Sequence, residues 1–372
     1  MRSAELRVRS SKGIPGLEGR NVRCSVSERK FGGRGGRRRL KIGVSQACGL
    51  RTFNFQPATC NLQPPLATYY SLTSSMHKLL VKLAKAMLRM LPAYPSADYK
   101  PLDQITPEMA LRRTIEEIED ERQTGFLKFF EDFELPRTAV ALDLGCGFGG
   151  RTIEFQKRIA GHLIGLEIDP RVVAPAIKFA WAATGASVSF MTGLGESLPL
   201  MGDSIDLVLS YDVFEHVRDP AKCLAECYRV LRAGGLTLLV FPPYHHPTGA
   251  HLEGYCSRMP YMNVMFPASV LVDAVDEILD SRGDQYRPQP LRPGDSLYSL
   301  NGLTIHRFER LVRESDFETV SIKLLPLFSR LNRQYKAWKM RYYAWIFSGL
   351  SRVPLVRECF THRVVAILRK PF

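Results

Sequence analysis

ALDLGCGFGG, residues 141–150, joins an apolar run that places Asp143 near its end to glycines at 145, 147, 149 and 150, after which the sequence reads as a helix. Glycine is needed where the backbone turns sharply and a ligand must approach with no Cβ in the way. A helix that begins directly behind such a loop offers free N–H groups and partial positive charge. Working outward, TAVALDL (138–144), HLIGLEI (162–168), SVSFMTG (187–193), IDLVLSY (205–211) and LTLLVFP (236–242) read as short strands, several separated by helix-like segments. A further helix at about 304–315 precedes ETVSIKL (318–324) and RVVAILR (363–369). The alternation predicts an α/β fold: a doubly wound, mostly parallel seven-stranded sheet with helices on both faces.

The loop alone fits two ligands. Gly145, Gly147 and Gly150 satisfy GxGxxG, the dinucleotide fingerprint. Asp143, two residues before the first glycine, suits a ligand with a cationic group and is poorly placed beside a pyrophosphate. Glu167 lies 20 residues after Gly147, where a carboxylate can take both hydroxyls of a ribose. A nucleoside with a positive tail describes S-adenosylmethionine better than NAD, although the spacing leaves both open.

DLGCGFGG, LIGLEIDP (163–170), ESLPLMGDSIDLVLSYDVFEHVRDP (196–220) and AECYRVLRAGGLTLLVFPP (225–243), in that order, resemble the class I S-adenosylmethionine-dependent methyltransferases. The likeness is greatest to the subgroup that includes the quinone-biosynthesis C-methyltransferases, and it covers about residues 138–243. It implies S-adenosyl-L-methionine as cofactor, its methionine portion cradled by Asp143, Gly145, Cys146, Gly147 and Gly149. Glu167 would hold the ribose, Ile168 would pack on the adenine, and Ser210 would lie at the edge of the site. The family's acidic-then-small adenine contact falls on Leu194 and Gly195, so the acid is missing there, with Glu196 next door.

The sulfonium methyl is already activated, so in-line displacement needs alignment more than a fixed catalytic triad. A base is required only where the acceptor must lose a proton. His216, after the fourth strand, and His245 and His251, in PPYHHPTGAHLEGY (242–255), are the candidates, each with a plain structural role as its alternative. His245, His246 and His251 raise the question of a metal, but no cysteine or carboxylate completes a recognisable ligand spacing, and no metal site is assigned. FPPY (241–244) lacks the Asn or Asp with which base-modifying amino-methyltransferases accept from their target amine.

Three segments flank this core. Residues 1–75 hold 14 Lys and Arg against Glu5, Glu18 and Glu28, which leaves only +3 of a formal +14 for the rest. Their composition predicts a disordered basic tail: a plain extension, an arm for anionic polymers or an organelle-targeting peptide. MHKLLVKLAKAMLRML predicts an amphipathic helix within 76–95, lying on an anionic membrane or packed on the domain that follows. The methyltransferase domain is expected over 96–372, with substrate-side insertions at 243–303 and 329–360. The acceptor is expected to be small, lipid-linked or glycan-type, with peripheral membrane contact and no nucleic acid, although the nearly balanced bulk charge of the body does not itself identify a substrate. No apolar run is long enough to span a bilayer, and eight cysteines without a CxxC pair fit a reducing, cytoplasmic setting.

Overall fold

The structure, a computed structural model, describes residues 74–93, 105–125, 139–159, 161–173, 188–283, 300–327 and 345–372. The tail expected over 1–75 lies outside them except for Ser74 and Ser75, as do 126–133 and the first half, 329–344, of the aromatic segment. Strands β1 (Val140–Leu144), β2 (His162–Glu167), β3 (Val188–Thr192), β4 (Ile205–Tyr211), β5 (Leu231–Phe241), β6 (Glu318–Pro326) and β7 (Thr361–Arg369) form one sheet. Its order is β3-β2-β1-β4-β5-β7-β6, and β7 alone runs antiparallel to its neighbours. The doubly wound, mostly parallel sheet read from the sequence is the one observed.

Residue type explains position in the sheet. β1 and β4 are buried along almost their whole length, as strands covered on both faces must be, whereas β3 and β6 at the edges are largely half-exposed. One apolar layer joins Leu142, Val208 and Leu239 to α4 (Pro220–Val230) and α7 (Ile305–Glu314). The opposite layer joins Ala141, Leu207 and Leu238 to Phe155 of α3 (Gly150–Gln156). Cys223 and Cys227 are fully buried on α4, where they act as small core side chains. The strand order reverses between β1 and β4, so the loops leaving their carboxyl ends open onto the crevice where such sheets bind ligands.

The helix expected over 107–133 is seen as α2 (Pro107–Thr124). Thr106 caps it by accepting from the Met109 N–H, and Gly125 ends it in the left-handed conformation. β5 starts earlier than expected because Leu231 pairs with Ile205 before a register shift. The first insertion contains α5 (Met262–Met265) and α6 (Ala268–Arg282), and the second, where described, is helical over 345–350 and turns tightly at Arg357–Phe360.

The amphipathic segment forms α1 (Ser74–Met90), and it packs on the domain. Val81, Ala84 and Leu88 are buried against Val270, Leu271, Ala274 and Ile278 of α6. Burial of Val81 and Leu88 stabilises this contact by about 1.5–3 kcal/mol each. Ser257 donates to the carbonyls of Leu88 and Leu91 at 2.7 and 2.8 Å, which satisfies groups that a helix end leaves open. A second apolar stripe stays outside: Met76, Leu79, Leu83 and Met90 are 48 to 68% exposed. Among the described residues no helix is long and apolar enough to cross a membrane.

Candidate active site

The glycine loop leaves β1 and is pinned from both sides. The Gly145 and Cys146 N–H groups donate to Leu166 O at 2.8 and 3.0 Å, and Gly147 N–H donates to Glu167 Oε2 at 3.1 Å. Gly145 has φ 74°, and a Cβ there would run into Val213, so the loop after β4 closes directly on this turn. At Gly150 a Cβ would collide with the Thr114 carbonyl and with Glu117, because α2 lies across the start of α3. Gly149 is the N-cap of α3. Cys146 is buried, and burial pushes its thiol up, so it is an inert wall of the loop.

Three carboxylates face this loop. Asp143 Oδ2 accepts from Thr152 Oγ1 at 2.6 Å, and burial raises its carboxyl to about 6 against that bond. Glu167 Oε1 accepts from the Ile168 and Asp169 N–H groups at 2.8 and 3.3 Å. The third, Glu117 of α2, was not among the sequence candidates. Its Oε1 accepts from Phe148 N–H at 3.0 Å and its Oε2 from Gly150 N–H at 2.7 Å, while burial pushes its carboxyl up to about 7. A signal existed: an acidic run, Glu116, Glu117 and Glu119, lies in the helix just upstream of the loop. Nothing local says which of them turns inward.

The remaining cofactor candidates divide. Ile168 is 60% exposed at the end of β2, open to a flat partner. Ser210 is buried on β4, and its hydroxyl has no hydrogen-bond partner among the described residues. Gly195 stands in a tight turn between Leu194 and Ser197, with Cys223 close behind it. Glu196 Oε1 accepts from the Arg218 and Asp219 N–H groups at 2.7 and 3.3 Å, which braces the start of α4.

The structure brings His216 and His251 together, with ring centroids 5.1 Å apart, and places Glu215 beside them. Burial drives the His251 imidazole down to about 3, so it is neutral. Glu215 is buried, and burial followed by nearby Asp212 pushes its carboxyl well above the usual range. Asn301 holds this loop, donating to Phe214 O and Val217 O at 2.6 and 2.8 Å. Arg363 of β7 pairs with Asp212 at 3.0 Å, and Arg151 of α3 lies over the Tyr211 ring, so the histidines and the glycine loop form one continuous polar edge. His245 is not part of it. Its Nδ1 lies 3.1 Å from Glu358, whose hydrogen bond raises the imidazole's pKa. His246 accepts from Thr248 N–H at Nδ1 and so has its proton on Nε2 toward His362.

Residues 142–239 match the family described as methyltransferase domain. The chain is 32% identical over 146 residues to a ubiquinone biosynthesis O-methyltransferase of Cereibacter sphaeroides, covering 39% of this chain and 56% of the relative. It is 29% identical over 241 residues to an uncharacterised methyltransferase of Mycolicibacterium gilvum, covering 63% of this chain and 77% of the relative. A Mycobacterium ulcerans uncharacterised methyltransferase is 39% identical over 113 residues, covering 30% and 43%. The chain thus spans a little over half the length of the first of these relatives.

Proposed function

We propose the following reaction for this chain, which belongs to the class I S-adenosylmethionine-dependent methyltransferases: in-line transfer of a methyl group to an oxygen of a small-molecule or lipid-linked acceptor. One observation carries the reading. The loop amides of Phe148 and Gly150, which a dinucleotide's pyrophosphate would need, are already taken by Glu117. With Asp143 and Glu167, the loop therefore presents carboxylates, an acceptor set that fits a cationic nucleoside and repels a dianion.

S-adenosylmethionine, when bound, supplies an activated sulfonium methyl. Asp143 and the bare backbone of Gly145, Gly147 and Gly149 would hold its methionine portion. Glu167 would hold the ribose, while Ile168, Gly195 and the rim at Glu196 and Ser210 would face the adenosine. Orienting nucleophile and methyl in a closed pocket supplies roughly 7–11 kcal/mol of the barrier. With the cluster beside Glu215 empty, His216 is the group placed to take the acceptor's proton, and His251 packs against its ring. His245, held by Glu358, is left out of the chemistry.

Two features support a lipid-linked acceptor. The outer stripe of α1, Met76, Leu79, Leu83 and Met90, is bordered by exposed Lys78, Lys82 and Arg89, a surface for an anionic bilayer. The Cereibacter relative is named for an O-methyltransferase step in ubiquinone biosynthesis. The test is transfer of labelled methyl from S-adenosylmethionine to hydroxylated acceptors with and without a lipid tail. Labelling that disappears in His216→Ala while cofactor binding persists is expected. Cofactor binding with no transfer to any oxygen acceptor would contradict the reading.

A further inference from the structure

We propose that Glu215, His216 and His251 form a binding site for one divalent first-row transition-metal ion. The ligand atoms of these three side chains lie within 4.8 Å of one another, and the two histidines come from segments 35 residues apart. No sequence spacing announces the cluster, because its carboxylate comes from the loop after β4 and its second imidazole from the insertion after β5. Glu215 supplies an independent reason to expect a ligand. Its side chain is 5% exposed, yet among the described residues neither carboxylate oxygen has a hydrogen-bond partner, and His216 Nε2 stands 3.9 Å away. A buried carboxylate left without a donor costs several kcal/mol unless a proton or a cation satisfies it.

The surrounding charges favour the cation. Asp212, Glu215 and Glu253 face Arg363, which is committed to Asp212, while Arg151, also near Asp212, is held by Asp120. When the three acids are ionised this cluster carries an excess of two negative charges, which one divalent ion offsets. His251 contributes a ring nitrogen within 4.8 Å of the other two ligand atoms, within reach of a common ion. Two imidazoles and one carboxylate are the donor set of zinc and other borderline ions, not of magnesium or calcium, which take oxygen. Metal–ligand bonds of about 2.1 Å place tetrahedral donors about 3.4 Å apart. The three side chains must therefore close by roughly an ångström, which half-exposed His216 allows. Three protein ligands leave a coordination position open for a further donor, and with the ion bound His216 serves as a ligand in place of its role as base.

The test uses the untagged full-length chain, stripped with a chelator and titrated with Zn2+, with Mg2+ in parallel, followed by metal analysis after dialysis. One zinc ion per chain is expected, with affinity reduced about a hundredfold or more in His251→Ala and in Glu215→Gln, since even outer-sphere partners of a metal cost 10–100-fold. His245→Ala, outside the cluster, should retain the ion. Where Glu215→Gln fails to fold, His216→Ala serves the same purpose on a half-exposed residue. Absence of stoichiometric zinc, retention of it in both His216→Ala and His251→Ala, or a preference for Mg2+ would overturn the proposal.

Discussion

Replacing Glu117 by glutamine isolates the contact that fastens α2 to the glycine loop. The carboxylate is buried, accepts from Phe148 and Gly150, and titrates near 7 because burial outweighs those two bonds. Its folded pKa is above the unfolded value of 4.5, so its contribution to stability is fully present below pH 4.5 and is lost as pH rises through about 7. Raising the carboxyl from 4.5 to about 7 amounts to about 3 kcal/mol between the limits, most of which falls between pH 5 and pH 8. Glutamine is nearly isosteric, cannot titrate, and accepts one of the two N–H groups, as a protonated carboxyl does. The variant should match the wild type near pH 5 and exceed it by roughly 2–3 kcal/mol at pH 8. Urea unfolding followed by far-ultraviolet circular dichroism at the two pH values gives the difference. Parallel pH dependences, or a variant less stable than wild type at pH 8, would refute the argument that burial rather than hydrogen bonding dominates at Glu117.

Three further outcomes follow from the same geometry. Asp143, raised to about 6, is about a tenth ionised at pH 5 and almost wholly ionised at pH 7.5, so affinity for S-adenosylmethionine should tighten about tenfold over that range. Asp143→Asn should bind more weakly and show no such dependence when the cofactor is titrated calorimetrically. Arg363→Met removes the cation that pairs with half-buried Asp212 and should destabilise the domain by about 1–3 kcal/mol in urea unfolding, since the pair is partly open to solvent. Leu79→Glu with Leu83→Glu changes two exposed side chains of α1, so the melting temperature should stay constant. Binding of the same full-length chain to phosphatidylglycerol vesicles should drop, and unchanged vesicle binding would remove the membrane role of this helix.

The sheet was legible because its information is local. Each strand of the core is a short, mainly apolar run, and Asp143, the glycines and Glu167 mark the ends of two of them at the ligand edge. The cap of α2 was legible for the same reason, since Thr106 and Pro107 act within one turn. What escaped was long-range. Val270, Leu271, Ala274, Val275, Ile278 and Leu279 of α6 carry a clear helical period, but they follow a stretch rich in Pro, Tyr and His that reads as loop. Glu117 looks like any acid on a charged helix until α2 is laid across the glycine loop. Glu215 and His251 become neighbours only because β4 and β5 are adjacent and their carboxyl-end loops meet. The departure at Leu194 has a partial physical answer: Leu194 is exposed at the turn, and neighbouring Glu196 is engaged by the amides before α4.

The claim at the centre of this account is that the carboxylate-lined glycine loop takes a cationic nucleoside. It is tested most directly by calorimetric titration of the full-length chain with S-adenosylmethionine, S-adenosylhomocysteine and NAD side by side at pH 7.5. The account predicts saturable binding of both adenosyl compounds at one site per chain and no heat from NAD. Binding of NAD without either adenosyl compound would contradict it.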